Sequence, residues 1–308
     1  MPITLNEPQN ILITGGSGLI GTTLTNLLIG KGYSVSHLGR KNQSIPNVKS
    51  FQWDINKGSI DIKAIENTDC IIHLAGSNIA GKRWNKDTKR EILESRTKSA
   101  ELLFNTLKNT PNKVKTIISA SGSHYYGDSG NTWMNEESPK GNLFLSDVCK
   151  EWEESAKKFS SLNKRVVILR FGVVLSDKGG ALKPMANAVK FFVGSPLGSG
   201  NQYLSWIHIN DLCSIFQMEI EDENMQGTYN ATAPNPATNK EFMQTIGKVL
   251  HRPIYPFHVP SFILKMLFGE MSSVLLTGNR ASSNKLINQG FTFQFPELKA
   301  ALENILIK

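Results

Sequence analysis

The run NILITGGSGLIG, residues 10 to 21, constrains this chain more than any other stretch. An apolar, β-prone segment runs straight into glycines at positions 15, 18 and 21, and an amphipathic segment follows at once. A strand-turn-helix passage of this kind suits the pyrophosphate of a dinucleotide. Glycines let the backbone come close, while unpaired N–H groups and the helix dipole favour negative charge. Gly15, Gly18 and Gly21, with the backbone of Leu19 and Ile20, are the expected cradle. Glycines also make tight turns with no ligand, so the weight rests on the strand before, the helix after and the second strand at the expected distance.

The rest of the first half repeats that alternation. Strands are expected at NILITG, YSVSHLG, SFQWD, CIIHLAG, VKTIISAS and RVVILRFG, with helices at about 18–31, 85–109 and 145–161. This pattern predicts an α/β fold, a Rossmann-type doubly wound parallel sheet that binds ligands beyond the carboxyl ends of its strands. Residues 1–175 are expected to form the dinucleotide-binding domain, with a later return segment at about 204–232. Residues 176–203 and 233–308, rich in Gly/Pro connections, are expected to form a smaller C-terminal α/β lobe that decides the substrate.

Composition narrows the partners. The net charge of +8 over 308 residues favours anionic ligands in a general way. The densest basic stretch, GKRWNKDTKREILESRTKS, is interspersed with Asp87, Glu91 and Glu94 and reads as a solvated helix face, so no nucleic acid is expected. Cys70, Cys149 and Cys213 form neither a CxxC pair nor an even framework, the usage of a reducing compartment. MPITLNEPQN lacks an export pattern, and VPSFILKMLFGEMSSVLL, interrupted by Lys265, Gly269 and Glu270, suits a buried or amphipathic helix better than a membrane span. A cytoplasmic protein without membrane partners, monomeric or homodimeric, is expected.

The cofactor's identity is read at the end of the second strand. An NAD-preferring site commonly carries Asp or Glu there to take the ribose hydroxyls; this chain has Arg40 and Lys41, cations suited to a 2'-phosphate, so NADP (NADPH) is expected. Asp54, after the third strand, can accept from the adenine amino group, and Ala75 and Gly76, after the fourth, are small enough for the cofactor to cross. His73 reads as a packed strand residue. Asn78, Arg83 and Trp84 lie in the loop after the fourth strand, where an Arg beside a Trp can grip and stack a substrate or, alternatively, cap and pack a helix. Arg170 follows the sixth strand as a further pocket candidate, His208 reads as structural, and no metal-ligand cluster is present in the sequence.

Taken in order, TGGSGLIG, HLAG, SASGSHYYG, LRFGVVL and WIHINDL resemble the extended short-chain dehydrogenase/reductase superfamily. HLAGSNIAGKRW, KREILESR, CKEWE, GTYNATAPNP and the C-terminal module from VPSFILKM to ELKAAL resemble its atypical branch of epimerase family proteins, also described as cell-division-inhibitor homologues. The resemblance implies hydride transfer with a Tyr-x-x-x-Lys pair and a Ser or Thr. Here the helix reads NLFLSDVCKEWEESA: Lys150 matches the Lys, but Ser146 stands four residues before it and the nearest aromatic is Phe144. Ser121 matches the hydroxyl position, and Tyr125 at the cleft mouth is the candidate to replace the missing Tyr, with Lys150 near the ribose. The expected function is an NADP(H)-dependent oxidoreductase or epimerase acting on a small molecule. The alternative is an NADPH-binding sensor with little or no catalysis.

Overall fold

The computed structural model describes residues 9–42 and 44–307. The amino-terminal stretch read above for an export pattern lies mostly outside these residues. The strands are β1 (Asn10–Thr14), β2 (Ser34–Gly39), β3 (Lys49–Asp54), β4 (Ser59–Ile60), β5 (Cys70–His73), β6 (Thr116–Gly122), β7 (Trp133–Met134), β8 (Arg165–Phe171), β9 (Val173–Leu175), β10 (Tyr203–Leu204), β11 (Trp206–His208), β12 (Gly227–Ala231), β13 (Ala237–Thr238) and β14 (Arg280–Ala281). One eight-stranded sheet runs in the order β12-β8-β6-β5-β1-β2-β3-β4. All its pairings are parallel except the β3–β4 hairpin. Order reverses between β1 and β5, so their carboxyl ends flank the crevice where such sheets bind ligands.

Both faces of the sheet are covered, which is why its inner strands read as short, mostly apolar runs. Helices α1 (Leu19–Gly30) and α6 (Ile209–Glu221) bury Leu24, Leu28, Leu212, Ile215 and Phe216 against Ile11, Ile13 and Ile72 on one face. Leu103 and Leu107 of α3 (Lys86–Asn109), Ala156 of α4 (Phe144–Lys157) and Phe159 cover Leu12, Ile71 and Ile117 on the other. The short α2 (Lys63–Glu66) adds Ala64 and Ile65 to that side. The expected third helix, to about residue 161, ends as α4 at Lys157 and tightens into a 3-10 turn, Lys158–Leu162.

A second core holds α5 (Leu182–Lys190), α7 (Asn239–Leu250) and the terminal helix together through Val189, Trp206, Phe242, Ile246, Ala301 and Leu302. Between α7 and the end come α8 (Ser261–Phe268), α9 (Ser273–Leu276), α10 (Asn284–Asn288) and α11 (Leu298–Leu306). A capping box between Thr238 and Glu241 starts α7. His208 starts α6, accepting from the Asn210 N–H at 3.1 Å and lying on the Phe295 ring at 3.9 Å, while Asp211 accepts from the N–H groups of Gln294 and Phe295. The WIHINDL stretch thus fastens the last loop to the Rossmann core. No described helix is long and apolar enough to cross a membrane.

Glu219, on the buried face of α6, is fully enclosed and its carboxyl has no hydrogen-bond partner among the described residues. Burial raises its pKa well above the ordinary value, against the pull of Arg165 and Lys285. The folded protein therefore holds this proton more tightly than the unfolded chain, so stability falls as pH rises from the ordinary carboxylate range towards the folded pKa. Glu219→Gln should leave the melting temperature unchanged at pH 4 and raise it at pH 8, by about 1–3 kcal/mol of stability. Calorimetry at both pH values checks this; an equal effect at the two would show that the carboxyl does not titrate abnormally.

Candidate functional site

Gly15 takes φ +69°, and a Cβ there would lie 3.0 Å from the Leu74 carbonyl, so the loop after β1 touches the loop after β5. A Cβ on Gly21 would stand 2.6 Å from the Gly16 Cα, so α1 starts directly against the loop. Gly18 is its N-cap, with no side-chain cap and no acidic residue in the first turn. The first-turn N–H groups, those of Leu19 and Ile20 among them, keep their positive partial charge for a ligand. The cradle thus fits a pyrophosphate. Gly16 belongs to it as well: a Cβ there would meet the His37 ring at 2.5 Å, and His37 is held through Thr25 at 2.8 Å. The GG doublet could have signalled this second close approach.

Around the cradle, Arg40 and Lys41 stand exposed just past the end of β2. Asp54 turns back on its own hairpin, accepting from the N–H groups of Asn56 and Lys57 at 3.0 and 3.1 Å. Ala75 donates its N–H to the Thr14 hydroxyl at 3.2 Å, beside the glycine loop. Gly76 lies against the Arg96 guanidinium, which a Cβ would approach to 3.0 Å. Arg96 itself donates to the Ser77 carbonyl and lies 4.9 Å from the Trp152 ring. His73 bridges the hydroxyls of Thr14 and Ser99, and burial lowers its pKa to about 4, a neutral packing residue.

The chemistry-bearing candidates divide into two groups. Ser121, Tyr125 and Arg170 converge, through a residue the sequence reading missed. Glu153, only 2 % exposed, accepts from the Ser121 hydroxyl at 2.7 Å and from both Nε and Nη2 of Arg170 at 2.7 Å. Arg170 also donates to the Tyr126 hydroxyl and the Glu136 carbonyl, and its guanidinium lies 3.5 Å from the Tyr125 ring centroid. Burial alone would lower the Arg170 pKa, but Glu153 and Tyr126 more than compensate and keep it charged. Arg170 is therefore the cation of an internal pair and not an open pocket wall: buried donors already satisfied by a bidentate carboxylate have little left for a substrate. A Glu on the apolar stripe of α4, and an Arg interrupting the apolar run of β8, were the available signs of this pair.

Lys150 does not join them. The face of α4 turned inward carries Ser146, Cys149 and Glu153, while Lys150 is exposed and pairs with Glu154 at 3.5 Å. Ser146 donates its hydroxyl to the His124 carbonyl at 2.9 Å. His124, also missed, is half-buried beside Tyr125, and burial lowers its pKa to about 4. In the loop after β5, Asn78 accepts from the Ala80 N–H, and Trp84 is buried, donating to the Ile79 carbonyl at 2.7 Å and meeting Phe144 edge-on at 5.1 Å. Arg83 reaches the Met266 carbonyl in the last turn of α8. Arg83 thus reaches a helix end and Trp84 is packed, while the C-terminal module lies against this loop and the first turn of α3 through Met271, Val274 and the Lys89–Glu270 ion pair.

Residues 11–231 match the model of the NAD dependent epimerase/dehydratase family. The chain belongs to that family. Residues 259–305 match a second model, described as a domain of unknown function (DUF1731). An epimerase family protein of Staphylococcus aureus is 35% identical over 303 residues, covering 97% of this chain and 100% of the relative. The human epimerase family protein SDR39U1, solved with NADPH, superposes with a TM-score of 0.85 at 32% identity, covering 96% of this chain and 99% of that one. A nucleoside-diphosphate sugar epimerase from Corynebacterium glutamicum superposes at 0.79 with 31% identity, over 97% of this chain and 58% of that one. The family is described as NAD dependent, and the glycine loop of this epimerase/dehydratase chain has the close backbone approach and uncapped helix start that a pyrophosphate would require.

Because Glu153 and Arg170 are buried together, removing either partner leaves an uncompensated charge. Arg170→Met and Glu153→Met should each destabilise the protein by about 3–5 kcal/mol, while the double variant should recover most of that loss. Urea unfolding of the three variants checks this, and strictly additive losses would mean that the two side chains are not paired.

Proposed function

We propose that the protein is an NADP(H)-dependent oxidoreductase acting by hydride transfer on a small molecule, with Tyr125 carrying the accompanying proton. The observation that carries this reading is the Tyr125 hydroxyl. Its half-buried ring is held over Arg170 at the carboxyl end of β6, and its hydroxyl has no hydrogen-bond partner among the described residues. The hydroxyls of Ser121, Ser146 and Tyr126 are instead donated within the protein. When bound, the nicotinamide supplies or accepts hydride. Tyr125 gives or takes a proton at its phenolic oxygen, Ser121 and Glu153 hold Arg170 beneath its ring, and Lys150 takes no part.

Arg40 and Lys41 support NADP over NAD: they stand exposed where an NAD site would place a carboxylate, and no ion pair with a described residue neutralises them. The NADPH of the human relative supports the same preference. A second reading, a cofactor-binding regulator without turnover, is favoured by the outward Lys150 and the engaged Ser121. The three free, buried thiols suit a cytoplasmic setting.

Two measurements test these readings. Arg40→Asp should weaken NADPH binding by at least about tenfold, the value of roughly 1.4 kcal/mol, with little effect on NADH. Tryptophan quenching by the two nucleotides reports it, and equal loss for both would remove the phosphate-reading role. Tyr125→Phe should lower NADPH oxidation by about 100-fold or more on any substrate that emerges from a screen of carbonyl compounds and sugar nucleotides, with NADPH affinity retained. Unchanged turnover in Tyr125→Phe would assign the proton to another group. Tight NADPH binding with no turnover across the screen would favour the regulator.

A further inference from the structure

From Phe242 to Gly269 the chain contains no Asp or Glu, yet Lys248, His251, Arg252, His258 and Lys265 all fall within it. Much of this stretch folds around an open groove of about 980 Å³ in the smaller lobe. One wall is a single face of α7, where Lys240, Gln244 and Lys248 follow at four-residue spacing and stack above one another. The facing wall is the segment after α7, which contributes His251, Arg252 and Tyr255.

The groove is built, not left over between loops. Helix α7 ends at His251 in the left-handed region, φ +52°, which turns the chain back along its own helix. The Arg252 N–H donates to the Gly247 carbonyl at 2.9 Å. Only glycine fits at 247, because a Cβ would lie 2.6 Å from Ile254 Cγ1 and 2.9 Å from the Arg252 carbonyl oxygen. Further on, the Tyr255 N–H donates to Gly194 and the Val259 N–H to Pro196, each at 2.9 Å, and His258 Nδ1 lies 3.1 Å from the Gly198 carbonyl. The facing wall is therefore pinned along its length.

Its charge is one-sided. Among the described residues none that lines the groove is acidic, and the adjacent carboxylate, Glu241, is turned away into the capping box with Thr238. No carboxylate among the described residues pairs with Lys240, Lys248 or Arg252. Arg252 lies 5.1 Å from the Phe192 ring, which limits its freedom. Like charges held around one concavity repel, and a multivalent anion relieves that repulsion. Arg offers a planar fork for phosphate oxygens and Lys a point charge, while the exposed Tyr255 ring offers a face for a flat group.

We propose that this groove is a second ligand site, separate from the glycine loop, which binds the phosphate groups of a small phosphorylated molecule through Lys240, Lys248 and Arg252. Calorimetric titration of the full chain with inorganic pyrophosphate, with and without saturating NADPH, tests it. Binding that persists under NADPH is expected, weakened at least about tenfold in Lys240→Ala/Lys248→Ala and in Arg252→Ala. NADPH quenching of tryptophan and the circular dichroism spectrum should be unchanged, since the replaced side chains are exposed. The control pair Lys265→Ala/Lys299→Ala, of equal charge but outside the groove, should bind like wild type. The proposal fails if NADPH abolishes pyrophosphate binding, if the groove variants bind normally, or if the control pair weakens binding equally. Binding of a single-stranded RNA oligonucleotide without binding of pyrophosphate would overturn it in favour of a nucleic-acid surface.

Discussion

The arrangement at the mouth of the central sheet depends on one buried ion pair, Arg170 with Glu153. Taking two charges out of water costs several kcal/mol each, and the cost is offset only when geometry is good and the remaining donors are satisfied. Here the guanidinium meets the carboxylate through two bonds of 2.7 Å, and its other donors reach the Tyr126 hydroxyl and the Glu136 carbonyl. The pair therefore joins β8 to α4, and through Ser121 to the end of β6. It also fixes the turn that presents Tyr125, whose ring rests on the same guanidinium. A network closed on itself in this way sets positions without being consumed by the ligand.

The second constraint comes from the C-terminal segment that matches the domain of unknown function. It does not hang beside the Rossmann domain; it is stitched to the candidate site. Asn279 donates to the Ser123 carbonyl at 2.9 Å, directly at the turn bearing Tyr125, and Ser205 donates to the Asn279 carbonyl. β14 pairs with β7, and Asn230 of β12 donates to the Ser282 carbonyl while accepting from Tyr126. Arg83 and Trp84 of the loop after β5, with Lys89 at the start of α3, tie this border to α8 and the residues beyond it. The module acts as a clamp on both loops that border the cleft, a role its own local pattern of short helices does not announce. The basic groove is lined by Pro196 and by residues between Lys240 and His258, which precede this segment.

How far the sequence could be read follows from the range of each interaction. The inner strands β1, β5, β6 and β8 were legible because they are buried on both faces and so appear as short, mostly apolar runs, whereas the two-residue edge strand β4 carries no such signal. The glycine cradle was legible because strand, turn and helix follow one another within twelve residues. Lys150 shows a different limit. Spacing along a helix gives the relative positions of Ser146 and Lys150, but not the rotation of the helix about its axis. That rotation is set by Leu145, Val148, Trp152 and Ala156 packing inward, and it turns Lys150 to the surface. Arg170 was placed on the right strand end, yet its partner lies 17 residues earlier on another element, and no local pattern links the two. Arg83 likewise found its partner, the Met266 carbonyl, 183 residues away, and Trp84 meets Phe144 of α4.

Taken alone, the sequence determined the parallel α/β architecture, the glycine loop between β1 and α1 and the cations beyond β2, because propensity, hydrophobic period and glycine spacing act over a few residues. Only the tertiary structure decided which polar side chains face the cleft and which neutralise one another inside the protein. Desolvation explains the division: a charge committed to the interior must find its partner wherever the packed chain brings one, and that meeting is written in three dimensions.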